Sequence, residues 1–193
     1  MFFRSQRLFL RPIWTEDAGA IHAGMSEAVA RNLARVPWPY GPADAECFAG
    51  QVQDARFPEL LITRPDTAGG PQVLGCIGLI APPDGSADAE LGYWLAECHW
   101  GAGYASEAGQ AMLHIARAIG HRRIVAHHFC DNPASGRVLA RLGFRPTGRA
   151  ALSSAARGGT VAAVRLALDL AEPGNGDGDG GGDSDGADMA RAA

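Results

Sequence analysis

The residues with the clearest chemical meaning are two glycines, Gly101 and Gly103, in the run Trp100-Gly101-Ala102-Gly103-Tyr104-Ala105. From Ala105 onward Ala108, Met112, Ile115, Ala116 and Ile119 recur at three- and four-residue steps, so the run opens a helix with one hydrophobic face. A helix whose first turn is glycine-rich points bare backbone N–H groups beyond its N-terminus, which is the outline of an anion site. The same glycines also fit a dinucleotide phosphate loop or an ordinary tight helix start. The dinucleotide reading fails, because the preceding chain is hairpin-like and no acidic residue ends a following strand about 20 residues on. One strand later, Cys130-Asp131-Asn132-Pro133-Ala134-Ser135 brings polar side chains to the start of another helix.

Other reactive side chains carry weaker signals. His127 and His128 are strand neighbours and point to opposite faces, so they cannot serve one site together. His99, Cys98 and Cys130 match no common zinc spacing, and no metal is expected. Cys47, Cys76, Cys98 and Cys130 contain no CxxC pair and read as reduced and structural. Glu107 reads as a support for the helix start. The loop Pro37-Trp38-Pro39-Tyr40-Gly41-Pro42 is stiffened by three prolines. Its Trp38 and Tyr40 either wall a substrate site or cover the edge of the core.

These residues need a scaffold. Ser5 to Pro12 alternates as a first strand; Thr15 caps a helix running toward Met25; a second helical piece reaches about Leu33; Ala43 to Ala55 forms a helix with Cys47, Phe48 and Val52 on one side. Leu60–Thr63 and Val73–Ile80 read as strands joined by a loop from Asp66 to Pro71, and a turn at Pro82–Gly85 leads to a third antiparallel strand from Glu90 to Leu95. The helix after the glycine turn stops near Gly120; Arg123–Phe129 is a strand, Pro133–Leu142 a helix, and two strands follow, the last ending at Leu170. Helices interleaved with a mostly antiparallel sheet indicate a mixed α/β (α+β) domain, and the central strand-helix-strand crossing requires a locally parallel pair.

With 47% apolar residues in 193, the chain can bury a core, and no apolar run is long enough to span a bilayer. Arginines interrupt the apolar N-terminus, so no signal peptide is expected and the cytoplasm is the default. The net charge of −4 is set by the tail, where six acids oppose Arg191 after Leu170; residues 1–170 are near neutral and offer no nucleic-acid surface. Residues 1–170 are expected to be one domain, and 171–193, made of glycine and aspartate, a disordered acidic tail.

The segments ELGYWL…WGAGYASEA and HRRIVAHHFCDNPASGRVLARLGF, with the opening SQRLFLRP and the loop VPWPYGPADA, resemble the GNAT superfamily of N-acetyltransferases, in its RimJ/RimL-like branch. The likeness spans roughly Ser5 to Leu170. It implies a sheet whose central parallel strands splay apart, acetyl-CoA as co-substrate, a primary amine as acceptor and direct transfer in a ternary complex. By this resemblance the donor pyrophosphate sits on the backbone of Gly101, Ala102, Gly103, Tyr104 and Ala105. Trp100 stands where many superfamily members have Gln or Arg, and it can pack but not neutralise phosphate. Main chain near Trp94 and Leu95 would bond the pantetheine amides, and a backbone N–H near Leu95 or Ala96 would meet the oxyanion. Asn132 would hold the pantetheine with its side-chain amide; the alternative is a helix-entry turn residue beside Pro133. Ser135 would reach the CoA sulfur, the alternative being a first-turn helix serine that satisfies a backbone N–H. Glu90 would act as base, directly or through water, the alternative being an exposed glutamate at a strand start. The acceptor class, a protein N-terminus or a small amine, stays open, as does oligomeric state. A non-catalytic acyl-CoA-binding regulatory domain is the competing class.

Overall fold

The computed structural model describes residues 1–65, 70–82 and 88–170. The expected acidic tail lies wholly outside the described residues, and the expected loop from Asp66 and turn from Pro82 lie partly outside them.

Among the described residues the strands are β1 (Phe3–Arg4), β2 (Phe9–Pro12), β3 (Glu59–Arg64), β4 (Gln72–Ile80), β5 (Ala89–Leu95), β6 (Arg123–Phe129), β7 (Arg145–Ser154) and β8 (Gly159–Asp169). The helices are α1 (Ala18–Gly24), α2 (Glu27–Ala30), α3 (Pro42–Ala49), α4 (Tyr104–Ala118) and α5 (Pro133–Arg141). The sheet runs β1-β2-β3-β4-β5-β6-β8-β7, and its neighbours are antiparallel except β5 and β6. This is the expected mixed architecture, with β8 inserted between β6 and the edge strand β7.

Side-chain alternation divides the sheet into two faces. Leu60, Ile62, Ile77, Leu79, Leu91, Leu95, Ile124 and Ala126 pack with Met112 and Ile115 of α4 and Leu139 of α5 in the main core. Leu61 and Cys76 face the other way, packing with Ile21 of α1 and Ala45 and Ala49 of α3, and Trp94 joins them. A backbone that alternates in this way puts every second residue of β5 and β6 on each face.

Several local expectations are corrected. The first strand is instead a hairpin, β1 and β2, turned at Ser5–Leu8, where Ser5 N–H donates to Leu8 O at 2.9 Å. Thr15 does not cap a helix. The Asp17 carboxylate accepts the Trp14 N–H at 2.8 Å and holds a short 3₁₀ turn, while Arg11 pairs with it at 2.6 Å. Burial pushes the Asp17 carboxyl up, but the Arg11 and Trp14 hydrogen bonds outweigh that and leave it below its ordinary value. The third helix stops at Ala49 rather than Ala55, with Gly50 beyond its end, and Val52 is 98% exposed. Its buried positions are Ala45 and Ala49, one turn apart, because they lie against α1. Of the four cysteines only Cys76 is buried; Cys47, Cys98 and Cys130 are exposed free thiols, so a structural role holds for one alone.

Candidate active site

The site is organised by the place where β5 and β6 stop pairing. Their register holds only Ala89 with Ile124 and Glu90 with Val125. Beyond it β5 continues to Leu95 against β4, and β6 continues to Phe129 against β8, so a gap opens between two strands that are each held from outside. Gly75 of β4 fixes one wall. A Cβ there would collide with the Trp94 carbonyl oxygen and stand 2.8 Å from Leu95 Cα, so the Trp94 carbonyl is turned onto β4. In a trans peptide the next N–H points oppositely, which aims Leu95 N–H into the gap. Ala96 N–H is already committed to Leu74 O at 2.9 Å.

At the head of the gap stands the glycine turn. Gly101 and Gly103 have φ of 74° and 80°, left-handed values that favour glycine, and Gly103 leads directly into α4. The exposed turn leaves the first N–H groups of a 15-residue helix facing outward. Trp100 does more than pack. Its indole Nε1 donates to Leu95 O at 2.8 Å, tying the turn to the end of β5.

The turn is also bolted to the N-terminal hairpin. Arg7 Nε donates to Glu107 Oε2 at 2.7 Å, Arg7 Nη1 to Ala102 O at 3.1 Å, and the guanidinium lies 4.7 Å from the Tyr104 ring centre. Glu107, which also accepts the Ser5 hydroxyl and Arg7 N–H, is thus a hairpin anchor. Burial raises its carboxyl, but these bonds together bring it below its ordinary value. Arg64 Nη1 reaches Tyr104 Oη at 3.4 Å, and burial together with Arg64 lowers the His99 imidazole. Two cations therefore flank the turn, which the sequence reading did not foresee.

On the α4 and α5 side of the gap, Asn132 Oδ1 accepts Ser135 N–H at 3.1 Å and caps α5. Its Nδ2 has no partner among the described residues. The Ser135 hydroxyl meets Tyr93 Oη at 2.7 Å. Tyr93, from β5, was missed as a site residue. Burial pushes its hydroxyl up to about 12, and the Ser135 bond opposes only part of that.

On the opposite face Glu90 Oε1 lies 2.8 Å from His127 Nδ1, both side chains partly exposed. His128 turns the other way, toward Gly136 of α5. Trp94 also lies on the Glu90 face, packed beside Tyr40. Tyr40 stacks on His22 at 6.5 Å, and burial pushes its hydroxyl up to about 12, so it covers the core edge; Trp38 stays exposed. A carboxylate–imidazole pair on one face, a hydroxyl pair on the other and a strand-wide gap between them can hold an extended thioester and handle protons at both ends of an acyl transfer.

Residues 7–145 match the family model described as an acetyltransferase (GNAT) domain. An uncharacterized N-acetyltransferase of Bacillus subtilis (strain 168) is 34% identical over 151 residues, covering 75% of this chain and 82% of the relative. In fold, an acetyltransferase of the GNAT family from Bacillus anthracis matches with a TM-score of 0.74 at 22% identity, over 88% of this chain and 98% of the other. RimL, a ribosomal L7/L12 alpha-N-protein acetyltransferase in complex with coenzyme A, matches with a TM-score of 0.71 at 21% identity, over 88% and 98% of the two chains. With most of its described length matched by the family model, the chain belongs to the GNAT acetyltransferase family.

Proposed function

We propose that this chain transfers the acetyl group of acetyl-CoA to a primary amine, either a protein N-terminus or a small molecule, without a covalent enzyme intermediate. The observation that carries the reading is the parting of β5 and β6 after Glu90 and Val125, directly below the glycine turn that opens α4. An extended pantetheine arm takes the place of a missing strand there. Its pyrophosphate seats on the backbone of Gly101, Ala102, Gly103, Tyr104 and Ala105, with Arg7, whose charge is paired with Glu107, bringing Nη2 beside Gly103 as a further donor. Asn132 Nδ2 and the Leu95 carbonyl, which keeps a lone pair beside its bond from Trp100, meet its amides, and RimL with coenzyme A bound supports the fold's capacity for this ligand.

On the other face the acceptor amine approaches beside the exposed Trp38. Glu90, hydrogen-bonded to His127, takes its proton directly or through water. The amine nitrogen then attacks the acetyl carbonyl, and the Leu95 N–H stabilises the oxyanion. As the tetrahedral intermediate collapses, the nitrogen gives its second proton to water and the C–S bond breaks. The thiolate takes a proton from the Ser135 hydroxyl, which Tyr93 holds in place by a hydrogen bond and water reprotonates. Tyr93 stays protonated throughout neutral pH because its hydroxyl titrates at about 12. No helix among the described residues is long and apolar enough to cross a membrane.

Incubation with acetyl-CoA, N-terminal peptides and small amines, followed by free-thiol detection, tests the reading. Turnover is expected. Donor binding with no turnover on any acceptor favours a non-catalytic acyl-CoA-binding regulator, and a melting temperature that acetyl-CoA leaves unmoved removes both.

A further inference from the structure

The acceptor face carries a second carboxylate that the transfer chemistry leaves unused. Leu61 of β3 faces α1 and α3 while Leu60 and Ile62 face α4, so Glu59 lies on the same face as Trp94 and Glu90. Its register runs Glu59–Gly78–Gly92 across β3, β4 and β5, which puts its Cα about 10 Å from β5 at two strand spacings. The side chain leans inward: a Cβ on Gly78 would stand 2.7 Å from Glu59 Cγ, so the glycine is what lets the carboxylate lie along the sheet toward β5.

The carboxylate opens on a cavity of about 200 Å³ lined also by Arg35, Gln53, Asp54, Phe57 and Ile80. Ile80 pairs with Glu90, so this cavity and the proposed base are neighbours in the sheet. No hydrogen bond or ion pair reaches the Glu59 carboxylate among the described residues. Burial raises its carboxyl, and Arg35, acting from beyond ion-pair distance, offsets only part of that. A half-buried carboxylate without a hydrogen-bonded partner carries a desolvation cost, and a cation entering the cavity offsets it.

Resting on the acyl-transfer reading above, we propose that Glu59 determines acceptor specificity by binding a second cationic group of the acceptor, an ammonium or guanidinium held about two strand spacings from the reacting amine. That chemistry comes from a linear diamine or from a basic side chain next to a peptide N-terminus. The free amine lies at Glu90 and the distal cation over Gly78.

The test measures kcat/KM with acetyl-CoA for octylamine against octanediamine, and for N-terminal peptides bearing norleucine against lysine, in the wild type and in Glu59→Gln. A preference for the dicationic member of roughly tenfold is expected in the wild type and its loss in the variant, with octylamine turnover unchanged. Preference in the amine arm alone assigns the site to small diamines, and in the peptide arm alone to basic peptides. Turnover without preference, or a preference that survives in Glu59→Gln, overturns the specificity assignment and leaves acyl transfer standing. No turnover by the wild type in either arm overturns both.

Discussion

The Tyr93 hydroxyl meets the Ser135 hydroxyl at 2.7 Å, joining the strand on one side of the gap to the helix on the other. This bond connects the two halves of the donor site through side chains 42 residues apart. It also places both hydroxyls where the departing thiolate is handled, one on a half-buried ring of β5 and the other at the head of α5.

Replacing Tyr93 with Phe keeps the partly buried ring and removes only the hydroxyl. We expect kcat to fall roughly 10- to 100-fold, as for loss of a positioned acid, with the dissociation constant of acetyl-CoA nearly kept. Ser135→Ala should act in the same direction, and the double variant should cost little more than the worse single one, because the pair acts as a unit. Steady-state kinetics with calorimetric donor binding checks this; additive losses would show that the two hydroxyls act separately.

Tyr93 should also mark alkaline stability. Its neutral form is favoured in the fold, with a value of about 12 against about 10 for an unperturbed tyrosine. Between those values the unfolded chain sheds a proton that the folded chain retains, so stability falls as pH rises through this window. The loss is on the order of 2 kcal/mol for the Tyr93 group. Denaturant titrations across this range, compared with Tyr93→Phe, measure it; identical slopes in the two proteins would contradict it.

Glu90→Gln should lower kcat/KM roughly 100-fold near neutral pH and recover part of the loss as pH rises, because more acceptor is then neutral without help. His127→Gln should produce a smaller loss with the same recovery, since the imidazole orients the carboxylate at 2.8 Å. A pH–rate profile lowered equally at every pH in both variants would remove the base assignment.

Gly75→Ala is predicted to impair both folding and catalysis. The added Cβ collides with the Trp94 carbonyl and crowds Leu95 Cα at 2.8 Å, so β5 must shift away from β4. A cost of about 1–3 kcal/mol is expected, with a lower kcat because Leu95 N–H moves. Thermal unfolding and single-turnover rates follow the two effects.

The turn and helix starts that frame the proposed donor side were legible because their signals are local. Gly101 and Gly103 declare a left-handed turn ahead of a helix, and the Asn132–Ser135 segment declares the start of another; each needs only a few neighbouring residues to be read. The sheet was legible from period-two strands and the forced parallel crossing. Arg7, Tyr93 and His127 were not, since each gains its meaning from a partner far along the chain, such as Glu107 for Arg7. Tyr93 looked like an ordinary apolar strand position, and the Glu90–His127 pair becomes visible only once β5 and β6 are aligned in parallel. The helix forecast through Ala55 overran because apolar spacing at Cys47, Phe48 and Val52 was weighed above the stop at Gly50.

The central claim, direct acetyl transfer in the gap between β5 and β6, is tested most directly by single-turnover mass spectrometry. Enzyme in excess over acetyl-CoA is mixed with a saturating primary amine, and enzyme, amine and CoA are weighed together through time. The expected result is one acetylated amine for each CoA released, with the enzyme mass unchanged at every point. An acetylated enzyme that forms before product and decays into it, or CoA release with no acetylated amine, would contradict the account.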